Sequence, residues 1–104
     1  MVLEITGDSV PSEGIARRAV FSEQGGVLGR NETCDWVLPD PHVSGRHARI
    51  LAVGRTFFIT DTDSGNGLKV NGTRLHPREL YPLEDGDRLF MDPFDIIVRI
   101  ERSA

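Results

Sequence analysis

Phe94-Asp95-Ile96-Ile97-Val98-Arg99-Ile100-Glu101 is the stretch whose reading decides the fold. Phe94, Ile96, Val98 and Ile100 fall at every second position, with Asp95, Arg99 and Glu101 between them. A period of two places apolar side chains on one face of an extended strand and polar ones on the other. Ile97 interrupts the polar face and is expected to be partly covered. Working outward, runs of the same kind recur at 2–6, 16–21, 26–29, 35–38, 47–53, 56–60, 67–70, 73–75 and 87–91. Eleven glycines and six prolines punctuate them, as turn formers do between short strands. Val70-Asn71-Gly72-Thr73 predicts a tight hairpin, because Asn-Gly accepts the positive φ angles of a type I′ turn. Glu84-Asp85-Gly86-Asp87 marks a turn before a further strand. No segment reads as a helix of three turns. Residues 77–82, bracketed by Pro77 and Pro82, are expected to hold at most a short turn. The pattern predicts an all-β fold, a two-sheet antiparallel β-sandwich of about ten or eleven short strands. Ser103-Ala104 is expected to fray.

The 104 residues suit a single domain spanning 1–104. Hydrophobic residues make up 38% and charged residues 27%, as in ordinary water-soluble globular domains. The formal net charge of −4 argues against bulk attraction to nucleic acid or an anionic membrane. Any anion site must therefore be local, built by a few placed groups. No apolar run is long enough for a membrane span. Met1-Val2-Leu3-Glu4-Ile5 lacks the pattern of a signal peptide. Cys34 is the single cysteine, which rules out an intrachain disulfide and fits a cytoplasmic location.

Four short motifs carry the functional reading: Gly29-Arg30, Ser44-Gly45-Arg46-His47, Ser64-Gly65-Asn66-Gly67 and Val70-Asn71-Gly72. Arg30 supplies a permanently charged planar fork that matches a phosphate. Ser44 adds a hydroxyl, and Gly45 permits close backbone approach. Asn66 can bond both the N–H and the C=O of an extended peptide. Alone, Arg30 reads sooner as a solvated strand end and Ser44 and Gly45 as an ordinary turn, while Asn66 reads equally as a turn residue. His47 reads as a structural group that pins adjacent loops rather than as a base, since no triad partner is indicated. The sequence around Ser44 is not the strand-to-helix elbow of a serine hydrolase. Cys34 precedes Asp35, which disfavours a thiolate. Cys34, His42 and His47 lack a zinc spacing. Asp61-Thr62-Asp63-Ser64-Gly65-Asn66 resembles a calcium loop but has Gly72 where the twelfth-position glutamate belongs. No metal or cofactor is expected. Trp36, Phe57 and Phe58 read as core.

In order and spacing these motifs resemble the forkhead-associated (FHA) domain family, from about Gly26 to Ile100. Gly29-Arg30 is similar to its Gly-Arg motif, Ser44 to His47 to its Ser-x-x-His motif, and the segments around Asn66 and Asn71 to its Asn-Gly pair. The resemblance implies a β-sandwich whose loops bind phosphothreonine peptides at one end. It implies that Arg30 and Ser44, with Gly45 and Gly65, surround the phosphate, and that Asn66 grips the peptide backbone. Asn71 would brace its loop or touch the peptide. Gly29, His47 and Gly72 would be architectural, and His42 and Arg46 auxiliary contacts. The implied partner is a threonine-phosphorylated protein. The stretch 34–47 is similar to the N-terminal FHA domain of bacterial type VI secretion accessory proteins. That narrower resemblance implies a fragment of a longer scaffold in a multi-protein assembly.

The family often has threonine or serine where Gly65 stands and a longer polar residue where Gly45 stands. Losing a hydrogen bond to a charged group costs about 1.5–3 kcal/mol. Arg46 would compensate if it reaches the site. A phosphate-independent scaffolding domain is therefore the alternative. An enzyme using Ser44 and His47 is a distant third.

Overall fold

The computed structural model describes residues 1–6, 15–62 and 64–101. Asp63 and the Ser103-Ala104 terminus, for which fraying is expected, lie outside the described residues. The described chain forms eleven strands: β1 (Val2–Thr6), β2 (Arg18–Val20), β3 (Gly26–Gly29), β4 (Trp36–Val37), β5 (Ala48–Val53), β6 (Thr56–Asp61), β7 (Lys69–Val70), β8 (Thr73–Arg74), β9 (Tyr81–Pro82), β10 (Arg88–Met91) and β11 (Phe94–Arg99). They make a six-stranded sheet in the order β2-β1-β11-β10-β7-β8 and a five-stranded sheet in the order β4-β3-β5-β6-β9.

The alternation in β11 explains how the sheets meet. Phe94, Ile96 and Val98 are buried, while Asp95 and Arg99 are exposed and Ile97 is half-buried. Ile5 pairs with Ile96 on β1, and Leu89 pairs with Ile96 on β10. From the opposite sheet, Leu28, Trp36, Ile50 and Ile59 join the same apolar cluster. Removing these faces from water is the main favourable term in folding. The indole Nε1–H of Trp36 donates to the Ala16 carbonyl at 3.0 Å, so its burial leaves no unpaired donor.

Three details depart from the sequence reading. Residues 77–82 contain a strand: β9 pairs antiparallel with the edge of β6 through Ile59↔Tyr81 and Phe58↔Pro82. Pro82 has no N–H to donate, which is tolerated at a sheet edge. Phe58 stands on the outer face of its sheet, opposite Leu51 and half-buried, while Phe57 packs against the core. Finally, β4 runs parallel to β3, the exception in the described antiparallel sheets. The expected hairpin does form, with Val70↔Thr73 paired and Asn71 and Gly72 at φ 51° and 85°.

Candidate functional site

The loops after β3, before β5 and after β6 are tied together by backbone and side-chain hydrogen bonds. Gly29 sets how closely they approach. A Cβ there would lie 2.3 Å from the Gly45 carbonyl oxygen, so only glycine lets the end of β3 pass beneath the 44–46 loop. The next residues are bound to that loop: Arg30 N–H donates to the Ser44 carbonyl at 3.0 Å, and Asn31 N–H to the Gly45 carbonyl at 2.9 Å. The Gly45 carbonyl also accepts from the Cys34 thiol at 3.2 Å. Burial raises the Cys34 pKa, with Asp35 adding a smaller upward push against the lowering field of Arg46. This thiol is a structural donor.

His47 is fully buried beneath these loops. Its Nδ1 accepts from Ser44 N–H at 3.1 Å, and its Nε2 lies 2.7 Å from the Gly67 carbonyl. Those partners require the tautomer with the proton on Nε2. Its backbone N–H donates to Leu28 at 2.8 Å, and its carbonyl accepts from Thr62 at 3.1 Å. One imidazole thereby joins the Ser44 loop to the Asn66 loop. Neither ring nitrogen is hydrogen-bonded to the Ser44 hydroxyl, so the pair lacks the nucleophile–base bond of serine catalysis.

The Ser44 hydroxyl instead accepts from Gly65 N–H at 3.0 Å. Its own O–H makes no hydrogen bond among the described residues and remains a donor for a ligand. Asn66 is exposed, and its Nδ2 donates to the His42 carbonyl at 2.7 Å. That leaves its Oδ1 and a second N–H for a ligand. Arg30 and Arg46 are exposed, and no salt bridge among the described residues engages them. His42 lies over Asp40, Nδ1 to Oδ1 at 2.8 Å. Its pKa is raised by that hydrogen bond and by the field of Asp92, and that of Asp40 is lowered by its backbone and side-chain bonds to His42.

The structure thus brings Arg30, His42, Ser44, Gly45, Arg46, Gly65 and Asn66 to one end of the sandwich. Asn71 is not among them. Its Nδ2 donates to Asp87 at 3.0 Å and its Oδ1 accepts from Arg88 N–H at 2.9 Å. Those contacts lock the 71–72 turn against the start of β10. Met91, at the other end of β10, is about 10 Å farther along the strand, and Asp92, whose field reaches His42, follows it. Gly72 is needed there for its positive φ rather than for space, since no atom lies within 4 Å of its Cβ direction.

Two organising residues escaped the sequence reading. Asp61 is buried, and its carboxylate oxygens accept from Ser64 N–H at 2.7 Å and Ser64 O–H at 2.9 Å. The Ser64 hydroxyl then accepts from Gly67 N–H at 3.1 Å. The Asp-x-x-Ser spacing was the available signal, read instead as part of a calcium-like cluster. Among the described residues no group of His, Cys, Asp and Glu is arranged to hold a metal. Thr62 adds a further tie, its hydroxyl donating to the Arg46 carbonyl.

A β-sandwich that presents a free guanidinium, a hydroxyl donor and a half-bonded amide on loops fixed from below belongs to the class of loop-borne recognition modules. The family model for the FHA domain matches residues 26–91. The chain belongs to the FHA domain family. It is 33% identical over 88 residues to the FHA domain-containing protein FhaA of Mycobacterium tuberculosis, covering 85% of this chain and 16% of that protein. It is 32% identical over 65 residues to the FHA domain-containing protein PS1 of Arabidopsis thaliana, covering 61% of this chain and 4% of that protein. The chain therefore spans a small part of these curated relatives. A solved structure from a study of phosphothreonine-dependent FHA domain interactions superposes with a TM-score of 0.81 at 28% identity, covering 98% of this chain and 97% of that one. The FhaA FHA domain, crystallised with the intracellular domain of another protein, superposes with a TM-score of 0.77 at 30% identity, covering 94% and 98%.

Proposed function

We propose that this domain binds threonine-phosphorylated segments of partner proteins and so mediates phosphorylation-dependent protein–protein interaction. The observation that carries this reading is the convergence of Arg30, the Ser44 hydroxyl and Asn66 on loops held by His47. A phosphothreonine brings about −1.5 to −2 charge and three strong acceptor oxygens. Arg30 supplies charge-assisted bonds to it from a cationic donor, and Ser44 one from a neutral hydroxyl to the ionised phosphate. No described hydrogen bond uses the Gly45 N–H, which makes it a further donor. Asn66 holds the peptide backbone through the half of its amide that His42 leaves free. Asn71 acts at a distance from the peptide, by fixing the 71–72 turn. Hydrogen bonds among the described loop residues hold these groups in place without the peptide, which lowers the ordering cost of binding. The role is recognition rather than turnover, on a single domain spanning 1–104, in the cytoplasm.

An oriented phosphothreonine peptide library, with phosphoserine and unphosphorylated controls and the Arg30→Ala protein alongside, tests this reading. Phosphate-dependent, threonine-selective binding that Arg30→Ala abolishes supports it. A folded wild-type domain that retains no phosphopeptide at millimolar concentration rules it out.

A second reading is favoured by two specific features: Gly45 and Gly65 offer no side chain to the phosphate. It is a phosphate-independent scaffold that keeps the fold and binds an unmodified partner. In either reading, a place in a larger assembly, such as a bacterial secretion system, rests on the similarity of residues 34–47 alone.

A further inference from the structure

The outer face of the five-stranded sheet carries a feature that the phosphate cluster does not use. Arg49 stands on that face of β5, paired across the strands with Thr60 of β6 and Val27 of β3. One concavity is lined by Gln24, Arg46, Arg49 and Thr62. A second is lined by Arg49, Thr60, Asp61, Thr62, Arg78 and Leu80. Arg49 and Thr62 belong to both, so the two concavities adjoin and are treated as one groove. It starts at Arg46, two residues from Ser44, and runs across the strands from β3 over β5 and β6 to the exposed Leu80 beside β9.

Arg46, Arg49 and Arg78 concentrate positive charge here on a protein whose net charge is −4. Among the described residues no salt bridge engages any of them. Of the carboxylates close by, Asp61 accepts from Ser64, Asp35 accepts from the Val27 N–H at 2.8 Å and Glu79 accepts from the His76 N–H at 3.1 Å; none of them forms an ion pair with these arginines among the described residues. The Thr60 Oγ1 is buried with no hydrogen-bond partner among the described residues. A buried hydroxyl without a partner is uncommon, and Thr60 is the cross-strand partner of Arg49. The backbone of Arg78 is fixed at the groove wall, its N–H donating to the Asp61 carbonyl at 2.8 Å.

We propose that this groove is a second recognition subsite, which takes an acidic stretch of the same partner polypeptide that presents the phosphothreonine. Charge complementarity and continuity with the peptide-binding loops through Arg46 carry the assignment. Arg46 lies in the turn just before β5 and Arg49 is the second residue of that strand, at most about 10 Å apart along the chain, so an extended peptide reaches Arg49 within a few residues of the loops. The arginines grip carboxylates, and Leu80 flanks an apolar neighbour. The inference deepens the phosphopeptide reading and rests on it.

Calorimetric titration compares a phosphothreonine core peptide with the same core carrying a four-glutamate run, joined by a short Gly-Ser spacer on either side. The expected result is a gain of about five- to tenfold for one extended peptide at low salt. The gain disappears in Arg49→Gln/Arg78→Gln, whose affinity for the core is unchanged and whose fold is checked by its melting temperature. Equal affinities for all three peptides, or a gain that survives the double variant, overturn the subsite while leaving the core reading intact. A parallel NMR titration uses the glutamate peptide alone, so the result does not depend on phosphate binding. Shifts of the Arg49, Thr60, Thr62 and Arg78 amides support the subsite even if the core fails to bind, and their absence overturns it. Tighter binding of duplex DNA, lost in the same double variant, overturns the assignment to a peptide.

Discussion

At Gly65 a single missing side chain sets the strength of the site. A Cβ built there lies 3.8 Å from the Ser44 Oγ, an ordinary contact, and the backbone is outside the left-handed region. Gly65→Ser therefore fits without strain and adds a donor beside the phosphate position. It is expected to tighten phosphothreonine-peptide binding about tenfold, measured by calorimetry. Gly29 is the opposite case, because its Cβ would collide with the Gly45 carbonyl. His42 adds a pH response at the rim. Its pKa is raised, first by the hydrogen bond to Asp40 and then by the field of Asp92. The charged His42–Asp40 pair thus contributes fully below the ordinary histidine value of about 6.5 and is lost as pH rises through the higher folded value. The lowered Asp40 keeps its charge as pH falls, until the pH passes below its depressed value. A protonated His42 attracts an anionic peptide. Affinity is therefore expected to rise as pH falls from 8 toward about 6.5, before the phosphate itself takes up a proton near about 6. His42→Gln should flatten that rise in titrations at several pH values.

At the scale of elements, strands and turns were legible wherever local chemistry decides them. The β11 alternation and the Asn71-Gly72 turn are cases in which periodicity and φ preference act without help from the rest of the chain. The strand β9 was illegible because only two residues, one of them proline, pair with the β6 edge. Phe58 misled because its β6 neighbour Phe57 is equally apolar, and only cross-strand register tells the two faces apart. The strand β7 begins at Lys69 rather than at 67 because the Gly67 carbonyl is taken by His47 and Gly67 itself sits at φ 80°. Loop geometry depends on such ties. His47→Ala would leave the Ser44 N–H and the Gly67 carbonyl without their partner and open a cavity between the loops. Thermal or denaturant unfolding should show a loss of about 3 kcal/mol, with phosphopeptide binding lost as well. Asp61→Ala should loosen only the 64–67 loop, weakening binding more than it lowers stability.

Across the whole molecule, the order of the motifs revealed the family and most of the residues gathered at the loop end of the sandwich. What the sequence left hidden were contacts between distant segments: the Asp61–Ser64 clasp, the placement of Asn71 at Asp87 and Arg88, and the arginine groove on the outer sheet. Each depends on which strands become neighbours, and no local pattern records that. The net charge of −4 means that the bulk field opposes a phosphopeptide, so phosphate selectivity must come from a few placed donors. One calorimetric titration tests that claim most directly: the wild-type domain against one peptide in phosphothreonine and plain threonine forms. The account predicts that the phosphorylated form binds and that its unphosphorylated twin is at least about a hundredfold weaker, the loss of two charge-assisted contacts. Equal affinity for the two forms would contradict it and leave the phosphate-independent scaffold standing.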